Sequence, residues 1–151
     1  MKKILLNLTI LLLVSNLASA GGLTTTFGEV KVENLQIGNE YSLEQAVEFP
    51  LIVQNTSDQQ IELKVDVLYP REKELKTGFT PIPDIDWISL EQDYFVLAPG
   101  EEAKTDVIVA IPEETKYSGA RFQVYIWSHT VGQALGVGLK SRLLFTIAEQ
   151  E

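Results

Sequence analysis

Ile61-Glu62-Leu63-Lys64-Val65-Asp66-Val67 alternates apolar and charged residues without a break before Leu68-Tyr69-Pro70. Successive side chains on a strand point to opposite faces, so this stretch predicts a strand with one face in a core and the other in water. A helix needs apolar residues three and four apart, and that spacing is nearly absent from the chain. Just upstream, Phe49 to Gln54 predicts a partner strand, and the polar Asn55-Thr56-Ser57-Asp58 predicts a tight connection that makes the two a hairpin.

The same grammar extends in both directions. Glu29 to Leu35 predicts an edge strand, and Gly38-Asn39 a turn before Tyr41-Ser42-Leu43. Downstream, Trp87 to Leu90 and Tyr94 to Leu97 predict short strands, followed by the turn Ala98-Pro99-Gly100-Glu101. In Thr105 to Ile111 the alternation softens, which predicts deeper burial. Arg121 to Thr130 and Gly136 to Ile147 predict two long final strands. About eight short strands with no helix between them predict an all-β chain: a single immunoglobulin-like antiparallel β-sandwich of about seven to nine strands. A small barrel is the alternative, because alternation does not report closure.

Residues 1–20 read differently. Lys2 and Lys3 precede an apolar run from Ile4 to Val14, and Ala18-Ser19-Ala20 has the small-x-small pattern of a cleavage site. The run is shorter than the roughly twenty residues a spanning helix needs, so it predicts a signal peptide cleaved after Ala20 and a product in the periplasm or outside the cell. The chain has no cysteine, which excludes a lipidated N-terminus, disulfides, thiol nucleophiles and cysteine-held metals. Nor does Glu149-Gln150-Glu151 resemble an apolar anchor. Residues 21–151 are expected to form one domain, not inserted in a membrane.

Loss of Lys2 and Lys3 takes the formal charge from −9 to −11. Without a Lys/Arg cluster, so acidic a surface disfavours nucleic acid as a partner.

The segments Trp87-Ile88-Ser89-Leu90, Leu97-Ala98-Pro99-Gly100-Glu101, Val107-Ile108-Val109-Ala110-Ile111-Pro112 and Tyr117-Ser118-Gly119 resemble, in that order, the exported immunoglobulin-like domains of bacteria and archaea. Leu51 to Ser57 resembles their second strand, and the likeness spans Phe49 to Ile147. It implies adhesion, carbohydrate-associated or assembly modules. A more distant resemblance is to the first domain of periplasmic pilus chaperones, which uses an exposed strand to complete its client. This chain departs from that pattern in having one domain and no evident pair of cleft cations.

Few residues suggest chemistry. The single histidine, His129, adjoins Ser128, but neighbours on a strand face opposite ways and cannot form a nucleophile–base pair. Asp84, Asp86, Glu91 and Asp93 lack the pattern of a calcium loop and are expected to cap turns. No carboxylate pair is singled out as a glycosidase pair. No enzyme activity, cofactor or metal is expected.

Binding has better candidates. In Phe122 to Ser128, Phe122, Val124 and Ile126 share one face while Gln123, Tyr125 and Trp127 share the other. If the first face is core, Tyr125 and Trp127 form an exposed aromatic pair suited to sugar stacking or a protein contact. The Pro70–Pro83 segment, which includes Phe79, predicts a loop on the surface, either a binding element or a plain sheet-to-sheet crossover. Gly136 and Gly138 leave one face of the last strand bare, and Lys140 and Arg142 follow either as guards of an open edge or as local cations. The expected function is that of an exported, non-enzymatic binding or assembly module whose partner is a protein or polysaccharide of the cell envelope. A strand-donating chaperone and a carbohydrate-binding module are the alternatives.

Overall fold

A computed structural model describes residues 12–150. Lys2, Lys3 and the first part of the expected signal peptide lie outside them. In chain order the elements are β1 (Leu12–Ala20), β2 (Leu23–Leu35), β3 (Glu40–Ser42), α1 (Leu43–Val47), β4 (Leu51–Asn55), β5 (Ile61–Leu68), β6 (Thr80–Pro81), β7 (Ile88–Leu90), β8 (Tyr94–Leu97), β9 (Glu102–Thr105), β10 (Val107–Ala110), β11 (Arg121–Val131) and β12 (Gly138–Ile147). Short 3-10 turns cover Glu72–Glu74, Ile85–Trp87 and Thr115–Tyr117.

The strands form a two-layered β-sandwich. One layer runs β8-β5-β11-β12 and ends on the second half of β2; the other starts on the first half of β2 and continues through β4 to β9. β3, β10 and β7 form a further small sheet, and β9 runs into β10 with only Asp106 between them. β2 joins the layers because its Leu23–Thr25 segment pairs with β4 while Glu29 to Leu35 pairs with β12 in parallel. Its inward residues shift phase at the crossing, from Leu23, Thr25 and Phe27 to Val30 and Val32. Between the layers lie Leu51, Val53, Val107 and Val109 from one side and Leu63, Val65, Val124, Ile126, Leu143 and Phe145 from the other.

The alternation that opened the sequence analysis is realised on β5, where Ile61, Leu63 and Val65 are buried. The hairpin expected of β4 and β5 is not formed. β4 pairs with β2 and β9, whereas β5 pairs with β11 and β8, so the two strands lie in opposite layers. The connection crosses the end of the sandwich because the Asn55 side chain binds the carbonyls of Gln59, Leu97 and Ala98, drawing together both layers. The helix α1 was not foreseen either. Ser42 caps it, its Oγ accepting from Gln45 N at 3.1 Å.

β1 lies antiparallel on the outer side of β2, joined to it by Gly21 and Gly22. Both glycines have positive φ, 42° and 104°, which a two-residue hairpin turn requires. The edge strand expected at Glu29–Leu35 is thus the second half of β2, with β1 along its outer side.

Two core hydroxyls, Ser128 Oγ and Ser141 Oγ, are buried without a hydrogen-bond partner. An unpaired buried polar group costs about 1–3 kcal/mol. Ser141→Ala is therefore expected to stabilise the protein by about 1 kcal/mol, raising Tm by roughly 3 °C. A lower Tm in a thermal melt would show that the hydroxyl has a role.

Candidate functional site

The outer face of β11 and β12 carries four of the five candidate residues, and a loop covers much of it. Pro70 to Pro83 crosses from β5 to the other layer, as a crossover was expected to do, and it also straps down onto β11. β6 within it pairs in parallel with β11, Thr80 opposite Phe122 and Pro81 opposite Gln123. Gln123, fully buried, receives a hydrogen bond from Lys76 N at 2.9 Å and donates to the carbonyl of Glu74 at 3.0 Å. Such a glutamine satisfies the loop backbone from the sheet below.

Tyr125 lies beneath this strap and is only 5% exposed, which corrects the expectation of an exposed aromatic pair. Its hydroxyl accepts from Arg142 Nη2 at 3.2 Å, and the Lys140 ammonium lies 5.3 Å from its ring centre. Phe79 is no surface contact either. It is 8% exposed, with the Arg121 guanidinium 4.7 Å above its ring.

Lys140 and Arg142 guard no open edge, because β12 is paired on both sides, by β11 and β2. Instead they bind carboxylates. Arg142 Nη1 donates to Glu29 Oε1 at 2.8 Å, and Lys76 of the strap donates to Glu29 Oε2 at 2.8 Å. Glu29 thereby clasps β2, β12 and the strap together. Burial opposes the charge of Arg142, but its bonds to Glu29 and Tyr125 outweigh it and raise the Arg142 pKa. Lys140 reaches Glu74 Oε2 at 3.3 Å, and Arg71 Nε reaches Glu74 Oε1 at 2.7 Å. The hydrogen bond from Arg71, supported by Lys140, holds the Glu74 carboxyl down at about 2. Because this pKa is depressed, its contribution is complete above the ordinary carboxylate range and fades only as pH falls toward 2.

Trp127 is half-buried and stacks on His129, ring centres 3.7 Å apart at 18°. His129 Nε2 in turn meets Asp66 Oδ2 at 2.7 Å, while Ser128 points into the core, so the pair does face opposite ways. The bare face at Gly138 admits the tryptophan ring: a Cβ there would stand 2.5 Å from Trp127 Nε1. Gly138→Ala is expected to push the ring off its stack at a cost of about 1–2 kcal/mol. Unchanged tryptophan fluorescence in that variant would show the contact to be slack.

The remaining candidates are structural. Trp87 is buried edge-on against Tyr117 and Phe122. Asp84 Oδ1 caps the following turn by accepting from Asp86 N at 2.8 Å, and Asp93 pairs with Lys64. Among the described residues no group of three or more acidic or histidine side chains is placed to hold a metal, and no helix is long and apolar enough to cross a membrane. The Asn55-Thr56-Ser57 segment, expected to be a tight hairpin turn, instead buries its asparagine completely at the crossing between layers.

What the alternation did not reveal is the edge that runs along both layers. On the outer side of β2, seven residues between Leu23 and Val32 pair with β1: Leu23, Thr24, Thr25, Glu29, Val30, Lys31 and Val32. A thirteen-residue strand whose inward phase shifts midway is the signal that could have found it.

No protein-family model matches the chain, and no curated protein matches it in sequence. Solved structures match its fold. A PapD-like domain of human CEP192 superposes with a TM-score of 0.56 at 11% identity, covering 91% of this chain and 97% of that one. A chain of a chaperone–tip adhesin complex of CFA/I fimbriae biogenesis gives 0.54 at 10%, with coverage of 86% and 57%. A family 123 glycoside hydrolase from Clostridium perfringens gives 0.57 at 8%, over 82% of this chain and 23% of that one. The chain thus spans little more than half of the fimbrial protein and under a quarter of the hydrolase. At these identities the likeness is one of fold, and it makes this chain an immunoglobulin-like sandwich distantly similar to PapD-like and pilus chaperone domains.

Proposed function

We propose that the chain is exported, loses residues 1–20, and serves as a non-enzymatic assembly module of the cell envelope by taking a strand of a partner protein onto the outer edge of β2. The observation that carries this reading is the β1–β2 ladder, which shows that edge pairing antiparallel from Leu23 to Val32. Once its occupant, the end of the expected signal peptide, is cleaved, a row of backbone donors and acceptors is left open. Such a row is a template for another strand, with main-chain bonds giving affinity and alternate side chains giving specificity. The fold shared with a chain from a chaperone–tip adhesin complex is in keeping with assembly work. Sugar stacking is disfavoured because Tyr125 is covered and one face of Trp127 is taken by His129.

The test has two parts. Protein recovered from the envelope or medium is expected to begin at Gly21; a folded, released chain that begins at Met1 overturns the reading. A photo-crosslinker at Thr24, on the β2 edge, is expected to capture an envelope protein, and one at Glu114, away from it, is not. Equal capture from both positions counts against the edge.

A further inference from the structure

The strand on β2 has its own chemistry. Its sequence, Leu12-Leu13-Val14-Ser15-Asn16-Leu17-Ala18-Ser19-Ala20, carries no charge in a chain of net charge −9. Residues directly opposite in an antiparallel pair share a face of the sheet. Ala20 and Ala18 stand opposite the inward Leu23 and Thr25, while Val14 and Leu12 stand opposite the inward Val30 and Val32. The register shifts between Val14 and Asn16 and again between Asn16 and Ala18, where β2 passes from one layer to the other. The edge is therefore paired with small residues at one end of its partner and aliphatic ones at the other, with an irregularity between.

On the outer face the fit is incomplete. A groove of about 360 Å³ lies beside Ala18 and Ser19, lined by Thr24, Thr25, Thr26, Ile52 and Gln54, with Glu102 also in its wall. Ser19, exposed and opposite Thr24, is too small to fill it. A larger apolar side chain at that position would bury itself against Ile52.

We infer that the partner of β2 is an uncharged strand of this pattern with a large apolar residue opposite Thr24, and that Leu12–Ala20 is a weaker internal copy of it that blocks the edge until it is removed. The inference rests on the strand-accepting reading above and adds the partner's chemical class and the self-blocking. The weakness follows from the unfilled groove: the internal copy is favoured by its covalent link, which cleavage abolishes, and by little on its outer face.

The test uses peptides with the sequence of residues 12–20, made soluble by two lysines placed before Leu12, added to residues 21–151. Among the residues whose burial is described, the core runs from Leu23 to Ile147 and lies within that chain, with Ala18 and Ala20 only partly buried against it. The parent peptide is expected to bind saturably, S19L to bind roughly tenfold more tightly from the added apolar burial, and A18D, which puts a charge on the core side, not to bind. The chain made with its leader retained is expected to bind none of them, and S19L within it to raise Tm. If S19L neither tightens the peptide nor raises that Tm, the groove has no such role and the inference falls. Binding of peptide to the leader-retaining chain as tight as to residues 21–151 overturns the self-blocking. If Thr24 still crosslinks to an envelope protein while no peptide binds, this inference fails and the strand-accepting reading stands; if neither occurs, both fail.

Discussion

Replacing Asn55 by alanine is expected to destabilise the protein by about 4 kcal/mol, the largest loss from any single polar side chain described above. Asn55 is fully buried. Its Nδ2 donates to the carbonyls of Gln59, Leu97 and Ala98 at 2.8, 3.1 and 3.2 Å, and its Oδ1 accepts from Ser57 N and Ser57 Oγ at 3.0 and 2.6 Å. Alanine leaves those groups without the side chain they surround, at about 1–3 kcal/mol for each one that water cannot reach. It also frees the connection that carries the chain from one layer to the other. Asn55→Asp is expected to be worse still, because it keeps the acceptor but sets a carboxylate against three carbonyl oxygens. Urea unfolding followed by tryptophan fluorescence measures both. A midpoint for Asn55→Ala within error of the parent would mean the crossing is held by the backbone bonds alone, from Asn55 N to Glu101 O and from Gly100 N to Asn55 O.

The second large effect is expected at Glu29. Glu29→Ala removes the carboxylate that meets both Lys76 and Arg142, leaving a guanidinium that is 29% exposed and whose Nε already lacks a partner. Stranding a buried charge costs about 3–5 kcal/mol. Partial exposure of Arg142 puts the expectation at the lower end, about 3 kcal/mol, or roughly 10 °C in Tm for a domain of this size. A double change, Glu29→Met with Arg142→Met, is expected to recover much of the loss, since apolar residues of similar volume often replace a buried pair without cost. The single variant should also loosen the strap, making Lys73 and Lys76 easier for trypsin to reach. If the double variant is as unstable as the single one, the clasp contributes through geometry and not through charge.

Both effects lie where the sequence was least legible. Asn55 and Ser57 read as a local turn, but two of the carbonyls that Asn55 holds are more than forty residues away. Glu29 and Arg142 are 113 residues apart, and no pattern along the chain connects them. Tyr125 was placed on the correct face of β11 by alternation. Its burial depends on a loop some fifty residues upstream, which alternation cannot see. Lys140 and Arg142 looked like edge guards because alternation does not say which strands lie on either side.

By itself, the sequence determined the all-β class, the location of most strands and the face each turns inward: Leu63 and Val65 on β5, Phe122, Val124 and Ile126 on β11, Val107 and Val109 on β10. Those are local properties, set by the two-residue period of a strand and the cost of burying charge. Tertiary structure alone decided which strands pair, that β4 and β5 lie in opposite layers, that the Pro70–Pro83 strap closes over Tyr125, and that β2 runs along both layers with β1 paired along its outer side. Pairing and coverage arise from contacts between distant segments, each chosen against competing partners by shape and hydrogen bonding, and a one-dimensional pattern records the need for a partner without naming it.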